Sequence, residues 1–165
     1  MKKIYIIGPT GSGKTTLSRK LSKKYEIKSY ELDKAVWDDN HGNIRRPEEE
    51  TLKIFNDIIK KHSWIIEDIG RNIFSAGREQ ADVIYYLKMS KSKAYIRVIK
   101  RWLKQRLGKE NYNRAPTFNQ LLYFISIVNS YYKKEKKKLE SLQLYNDKVI
   151  YLKKRDIKRL LSKKE

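Results

Sequence analysis

Residues Gly8-Pro9-Thr10-Gly11-Ser12-Gly13-Lys14-Thr15 satisfy the spacing G-x-x-x-x-G-K-[ST] at every position. Glycines at such spacing let successive N–H groups converge on phosphate oxygens at the positive end of a helix. Gly8, Gly11, Ser12 and Gly13 would shape this cradle, Lys14 would reach the β- and γ-phosphates, and Thr16 is a contact for the α-phosphate. The Thr15 hydroxyl would sit on Mg²⁺, with a strand-end carboxylate completing the metal site. The stretch WIIED offers Glu67 for that role, the first carboxylate after the apolar run, with Asp68 close behind.

Phosphoryl transfer puts charge on the equatorial oxygens of the moving group, so it calls for cationic clamps and positioning more than covalent work. Arg97 and Arg101, four apart on one helical face, can converge on one anion, and a guanidinium grips phosphate with two parallel bonds. Asp33 bears on the kind of acceptor. A hydroxyl needs a nearby carboxylate to take its proton, whereas a nucleoside monophosphate is already ionised and needs none. Trp37, Arg45 and Arg46 supply an aromatic face and cations for an acceptor pocket, while His41 and His62 are isolated and read as surface or structural residues.

These residues need elements to hold them. KKIYIIG reads as a short buried strand, and the stretch from Gly13 to Tyr25 as a helix with Leu17 and Leu21 on one face. KSYELD is a second strand ending at Asp33, and 34–46 is a loop with some helix. Pro47 and three glutamates open a helix striped by Leu52, Phe55 and Ile59. WIIED and ADVIYYLKM are the third and fourth strands, with Gly70, Arg71 and a short helix between them. From Ser92 to Leu107 a helix carries Tyr95, Ile99 and Trp102 on one face. Thr117 caps a long helix that begins apolar and ends basic, and KVIYL and DIKRLL form a last strand and helix. Five strands separated by helices predict an α/β fold, a mostly parallel sheet covered on both faces.

The 165 residues fit a single domain, 1–165, with enough apolar content for a packed core. The absence of cysteine excludes disulfides and thiolate chemistry and fits a cytoplasmic setting. The apolar run Ile4 to Ile7 is too short for a signal segment, and no stretch could span a bilayer, so no membrane partner is expected. A net charge of +20, concentrated in 91–114 and 133–165, would attract nonspecific nucleic acid, but no DNA-reading or RNA-reading motif accompanies it. No N-K-x-D stretch supports a guanine-reading switch.

With these pieces in order, the chain resembles the adenylate kinase-like branch of P-loop phosphotransferases, and within it the small FlaR-type proteins described as DNA topology modulators. The matching segments are IYIIGPTGSGKTTLSRKLS, YELDKAVW, RRPEEE, WIIEDIGR, the RVIKR helix and KVIYLKKRDI. The resemblance implies a three-layer fold with a five-stranded parallel sheet in the order 2-3-1-4-5, an acceptor-binding insert at 34–62 and a short lid at 108–116. It implies ATP as donor, Mg²⁺, and an acceptor site holding Asp33 and Arg71. It also sends Arg97, Arg101 and Arg106 toward the transferring phosphate and the base, with Arg114 in the lid. The stretch E-D-I-G-R departs from the nucleotide-kinase pattern D-G-x-P-R by lacking its glycine and proline. Two readings follow: a Mg-ATP-dependent kinase of a nucleotide, nucleoside or similar small metabolite, or a nucleic-acid-associated ATPase using the basic surface.

Overall fold

The computed structural model describes residues 2–38, 44–108 and 117–162. His41, Arg114 and nearly all of the expected lid lie outside the described residues. The chain runs through β1 (Lys3–Ile7), α1 (Lys14–Tyr25), β2 (Ser29–Glu31), α2 (Asp33–Val36), β3 (Trp37–Asp38), β4 (Ile44–Arg45) and α3 (Glu48–Ile59). It continues through β5 (Trp64–Asp68), a 3₁₀ turn (Asn72–Phe74), α4 (Ser75–Gln80), β6 (Val83–Leu87) and α5 (Lys91–Arg106). The last elements are α6 (Phe118–Lys133), α7 (Glu135–Leu142), a second 3₁₀ turn, β7 (Val149–Leu152) and α8 (Lys154–Ser162).

The main sheet is parallel throughout, in the order β2-β5-β1-β6-β7, which is the expected 2-3-1-4-5. Its strands are apolar on both faces because both faces are covered. Ile4 and Ile6 of β1 join Leu17, Leu21, Ile65 and Leu87 on the α1 and α8 side. Tyr5 and Ile7 point the other way, into a core with Phe55, Trp64, Phe74 and Tyr86. Register aligns Ile7 with Asp68 and Glu31 with Glu67. The loop after β1, the end of β5 and the chain leaving β2 therefore meet at one carboxyl edge, where ligands bind in open parallel sheets.

Several local expectations change. Asp33 does not end a strand: β2 stops at Glu31, and Asp33 is the first residue of α2. The segment 34–46 holds a two-stranded antiparallel hairpin, Trp37 opposite Arg45 and Asp38 opposite Ile44, besides that helix. The buried face of α5 is Ala94, Val98 and Gln105, with Ile99 exposed, because the helix packs on α6 through its small residues. Thr117 caps α6 as expected, in a capping box with Gln120, but the long helix breaks at Lys134 into α6 and α7.

Candidate phosphate and acceptor sites

The loop from Gly8 to Gly13 closes on itself, with Ser12 N donating to the Pro9 carbonyl at 3.1 Å. Gly13 takes φ +97°, a left-handed angle costly to other residues, and so hands the chain directly into α1. A Cβ on Gly8 would stand 2.9 Å from Ser12 Oγ and 3.1 Å from the Leu87 carbonyl, so the loop lies against β6 only with glycine there. The first turn of α1 carries no acidic residue, leaving its N–H groups and positive end open to an anion. Ser12 Oγ is buried with no hydrogen-bond partner among the described residues and lines a cleft beside the loop, as a donor reserved for a ligand would.

Lys14 folds back over the loop, its Nζ donating to the Pro9 carbonyl at 3.0 Å. Desolvation lowers its ammonium below the usual lysine range, against the pull of Glu67, Asp33 and Asp68. Thr15 Oγ1 donates to Glu67 Oε1 at 2.7 Å, which ties the start of α1 to the end of β5. Burial raises the Glu67 carboxyl, while the Thr15 bond and Lys14 pull it down and Glu31 and Asp33 push it further up. Its Oε2 is buried with no hydrogen-bond partner among the described residues. An orphaned carboxylate oxygen beside a threonine hydroxyl fits a hard divalent cation completed by phosphate and water oxygens. The described residues contain no cluster of three His, Cys, Asp or Glu that could hold a metal by themselves.

On one side of the loop lies a cleft of about 980 Å³, lined by Ser12, Met89, Arg97, Tyr132, Glu135 and Arg155 among others. Arg97 reaches into it from α5, donating to the Gly11 carbonyl at 2.7 Å. Arg101 is exposed one turn further along α5, so the structure brings only the first of the expected pair to the loop. Arg106 stacks on Trp102, 5.3 Å from the ring centroid, and Thr16 is exposed in the first turn of α1.

On the other side, Arg71 bridges two carboxylates. Its guanidinium donates to Asp68 Oδ1 and to Asp33 Oδ1. Asp68, fully buried in its side chain, also accepts from the backbone N–H groups of Gly70 and Arg71. Burial would lower the Arg71 guanidinium, but Asp68 and Asp33 outweigh it and raise it. Asp68 thus anchors the arginine, a role its place directly after Glu67 concealed. Asp33 keeps 64% of its side chain exposed and within reach of a ligand.

A cavity of about 270 Å³ adjoins this bridge, lined by Arg45, Arg71, Thr51, Glu48, Val36 and Ile73, with Arg46 at its wall. Arg45 and Arg71 thus share one cavity. Trp37 packs against the core instead. Arg46 is a scaffold: its Nη1 donates to the carbonyls of Lys34, Ala35 and Trp37, and it pairs with Asp38 and Glu50 at 3.1 Å each. The guanidinium is mostly buried, so removing it takes the side-chain donor from the Lys34 and Trp37 carbonyls and the cation from Asp38 and Glu50. Arg46→Met should cost about 3 kcal/mol of stability, read as a lowered urea midpoint. Arg46→Lys recovers only part of this, because an ammonium lacks the planar fork.

Lys138 is a residue that sequence reading passed over. It projects from α7 to the turn after β5, its Nζ donating to the Ile69 carbonyl at 2.6 Å. Within the run KKEKKK it looks like any other lysine, yet the spacing Glu135, Lys138, Leu139, Leu142 marks the inward face of α7.

Comparison with known proteins sets this geometry beside others. Residues 4–116 match a family model described as AAA domain. No curated protein matches the chain. Among solved structures, a shikimate kinase from Acinetobacter baumannii in complex with shikimate superposes with a TM-score of 0.60 at 14% identity, covering 98% of this chain and 89% of that one. A deoxyadenosine kinase from M. mycoides with dCMP and dCDP bound gives 0.47 at 15% identity, covering 96% and 94%. A gluconokinase from Sinorhizobium meliloti 1021 gives 0.47 at 15%, covering 84% and 95%. The first establishes a shared α/β fold with a five-stranded parallel sheet.

Proposed function

This chain belongs to the AAA domain family, and we propose that it is a Mg-ATP-dependent phosphotransferase acting on a small hydroxyl-bearing metabolite. One observation carries the reading: besides the cleft at the phosphate loop there is a second, separate cavity, and the arginine that lines it, Arg71, holds the exposed carboxylate of Asp33. A switch or a motor needs the donor cleft only. A transferase needs a second site whose occupant meets the γ-phosphate. The fold shared with a shikimate kinase is compatible with such an acceptor.

In this reading the nucleotide lies in the larger cleft, its phosphates on the loop amides, Ser12 and the α1 N-terminus. Lys14 and Arg97 stabilise the charge that develops on the moving group. Asp33 accepts the proton as the acceptor oxygen bonds to the γ-phosphorus and the bond to the β–γ bridging oxygen breaks, ADP leaving with the electron pair. Arg71 orients Asp33, and Arg45 meets an anionic group of the acceptor. Thr15 and Glu67 would hold Mg²⁺, which when bound screens phosphate charge. The described residues of 34–62 form the acceptor side of a single domain. Among the described residues no helix is long and apolar enough to cross a membrane.

The test is a panel of sugars, hydroxy acids, nucleosides and nucleoside monophosphates incubated with Mg-ATP, with the Lys14→Ala protein alongside as control. Stoichiometric ADP and phosphorylated product from one acceptor supports the proposal. Hydrolysis stimulated by DNA, with no acceptor phosphorylated, overturns it in favour of a nucleic-acid-associated ATPase.

A further inference from the structure

Leu139 and Leu142 seat α7 against the main core, and the same face carries Lys138 toward the carboxyl edge of the sheet. Its ammonium lies 4.0 Å from the centroid of the Tyr131 ring, which leaves the tip directed at the Gly70 turn. A Cβ on Gly70 would stand only 3.6 Å from Lys138 Cδ and 3.8 Å from Nζ, so bare backbone is all that separates the lysine from the turn.

The charges facing Lys138 come from every side. Asp68 and Arg71 belong to β5 and its turn, Lys14 to the phosphate loop and Lys134 to the start of α7. Asp68 is already occupied by two backbone N–H groups and Arg71. Among the described residues no carboxylate pairs with Lys138 within salt-bridge distance, and one carbonyl accepts from it. An ammonium carries three donors. The Lys138 tip therefore lies at the turn that carries Arg71, and that turn packs on Ile7, the last residue before the phosphate loop. Burial pushes the Lys138 ammonium down to about 8 and Asp68 holds it up, so at neutral pH the group is charged.

We propose that Lys138 is a phosphate-binding residue of this site, brought in by α7 to contact the phosphoryl group that passes between the donor loop and the Gly70 turn. The inference rests on the phosphotransferase reading. It makes α7 part of the active site, where a tether between helix and turn would make it only a support.

Calorimetric titration of Mg-ATP and Mg-ADP separates these roles. Lys138→Gln keeps a donor for the Ile69 carbonyl and loses the charge, whereas Lys138→Met keeps the stem over Tyr131 and loses both. Lys138→Arg keeps charge and donors. Both neutral variants should bind Mg-ATP about tenfold more weakly or worse, with Mg-ADP within about twofold of wild type, and Lys138→Arg should stay near wild type. Normal Mg-ATP preference in Lys138→Gln overturns the proposal, whether or not Lys138→Met is impaired, since only a tether would then remain. A wild-type protein that binds neither nucleotide, or a Lys14→Ala protein that binds Mg-ATP as tightly as wild type, overturns the phosphotransferase reading and this proposal together.

Discussion

Lys14→Ala should lower phosphoryl transfer by about 10³ or more, equivalent to about 4 kcal/mol of transition-state stabilisation. Lys14 emerges from the loop where the phosphate oxygens would lie, in a desolvated setting that strengthens its interaction with them. Its contribution to folding is one bond to the Pro9 carbonyl, replaceable by water. The loss therefore belongs to activity, with the thermal midpoint within a few degrees of wild type. Steady-state kinetics and a melting curve on the same preparation check this. Activity above a tenth of wild type would place the donor phosphates elsewhere.

Asp33→Asn should lower kcat by about 10²–10⁴ if the acceptor group is a hydroxyl. Asparagine is nearly isosteric, and its carbonyl oxygen can still accept from Arg71, so the orientation of the pair survives while the proton acceptor is gone. The Michaelis constant for ATP should stay within about threefold, because Asp33 is not among the residues that line the larger cleft. Retained kcat would instead indicate an acceptor oxygen that is already ionised, as in a nucleoside monophosphate. The two outcomes differ by orders of magnitude.

The parts visible in the sequence were those with local physical causes. GPTGSGKT specifies its own backbone through Gly8 and Gly13, and the apolar strands report burial on both faces. Thr117 announces the start of a helix, and the structure adds Gln120 to it as a capping box. Glu67 could be placed because register between β1 and β5 carries a strand-end carboxylate to the loop, and it meets Thr15 at 2.7 Å. What sequence could not supply were choices made by tertiary packing. Arg45 and Arg46 are adjacent and alike, yet one lines a cavity and the other ties three carbonyls together. Asp68 and Glu67 are both buried carboxylates, separated in role by which backbone amides turn toward them. Trp37 opens a hairpin that leaves no periodic signature, since two-residue strands are too short to show alternation. The inward turn of α5 toward α6 selected Ala94 and Val98 over the larger Ile99, because close helix packing favours small side chains.

The most direct measurement follows the γ-phosphoryl group of labelled Mg-ATP through a complete reaction with the best acceptor of the panel. The account predicts that the label appears on an acceptor oxygen in one-to-one ratio with ADP, and that Lys14→Ala removes this product. Label appearing only as inorganic phosphate, at the same rate with and without acceptor, would contradict it.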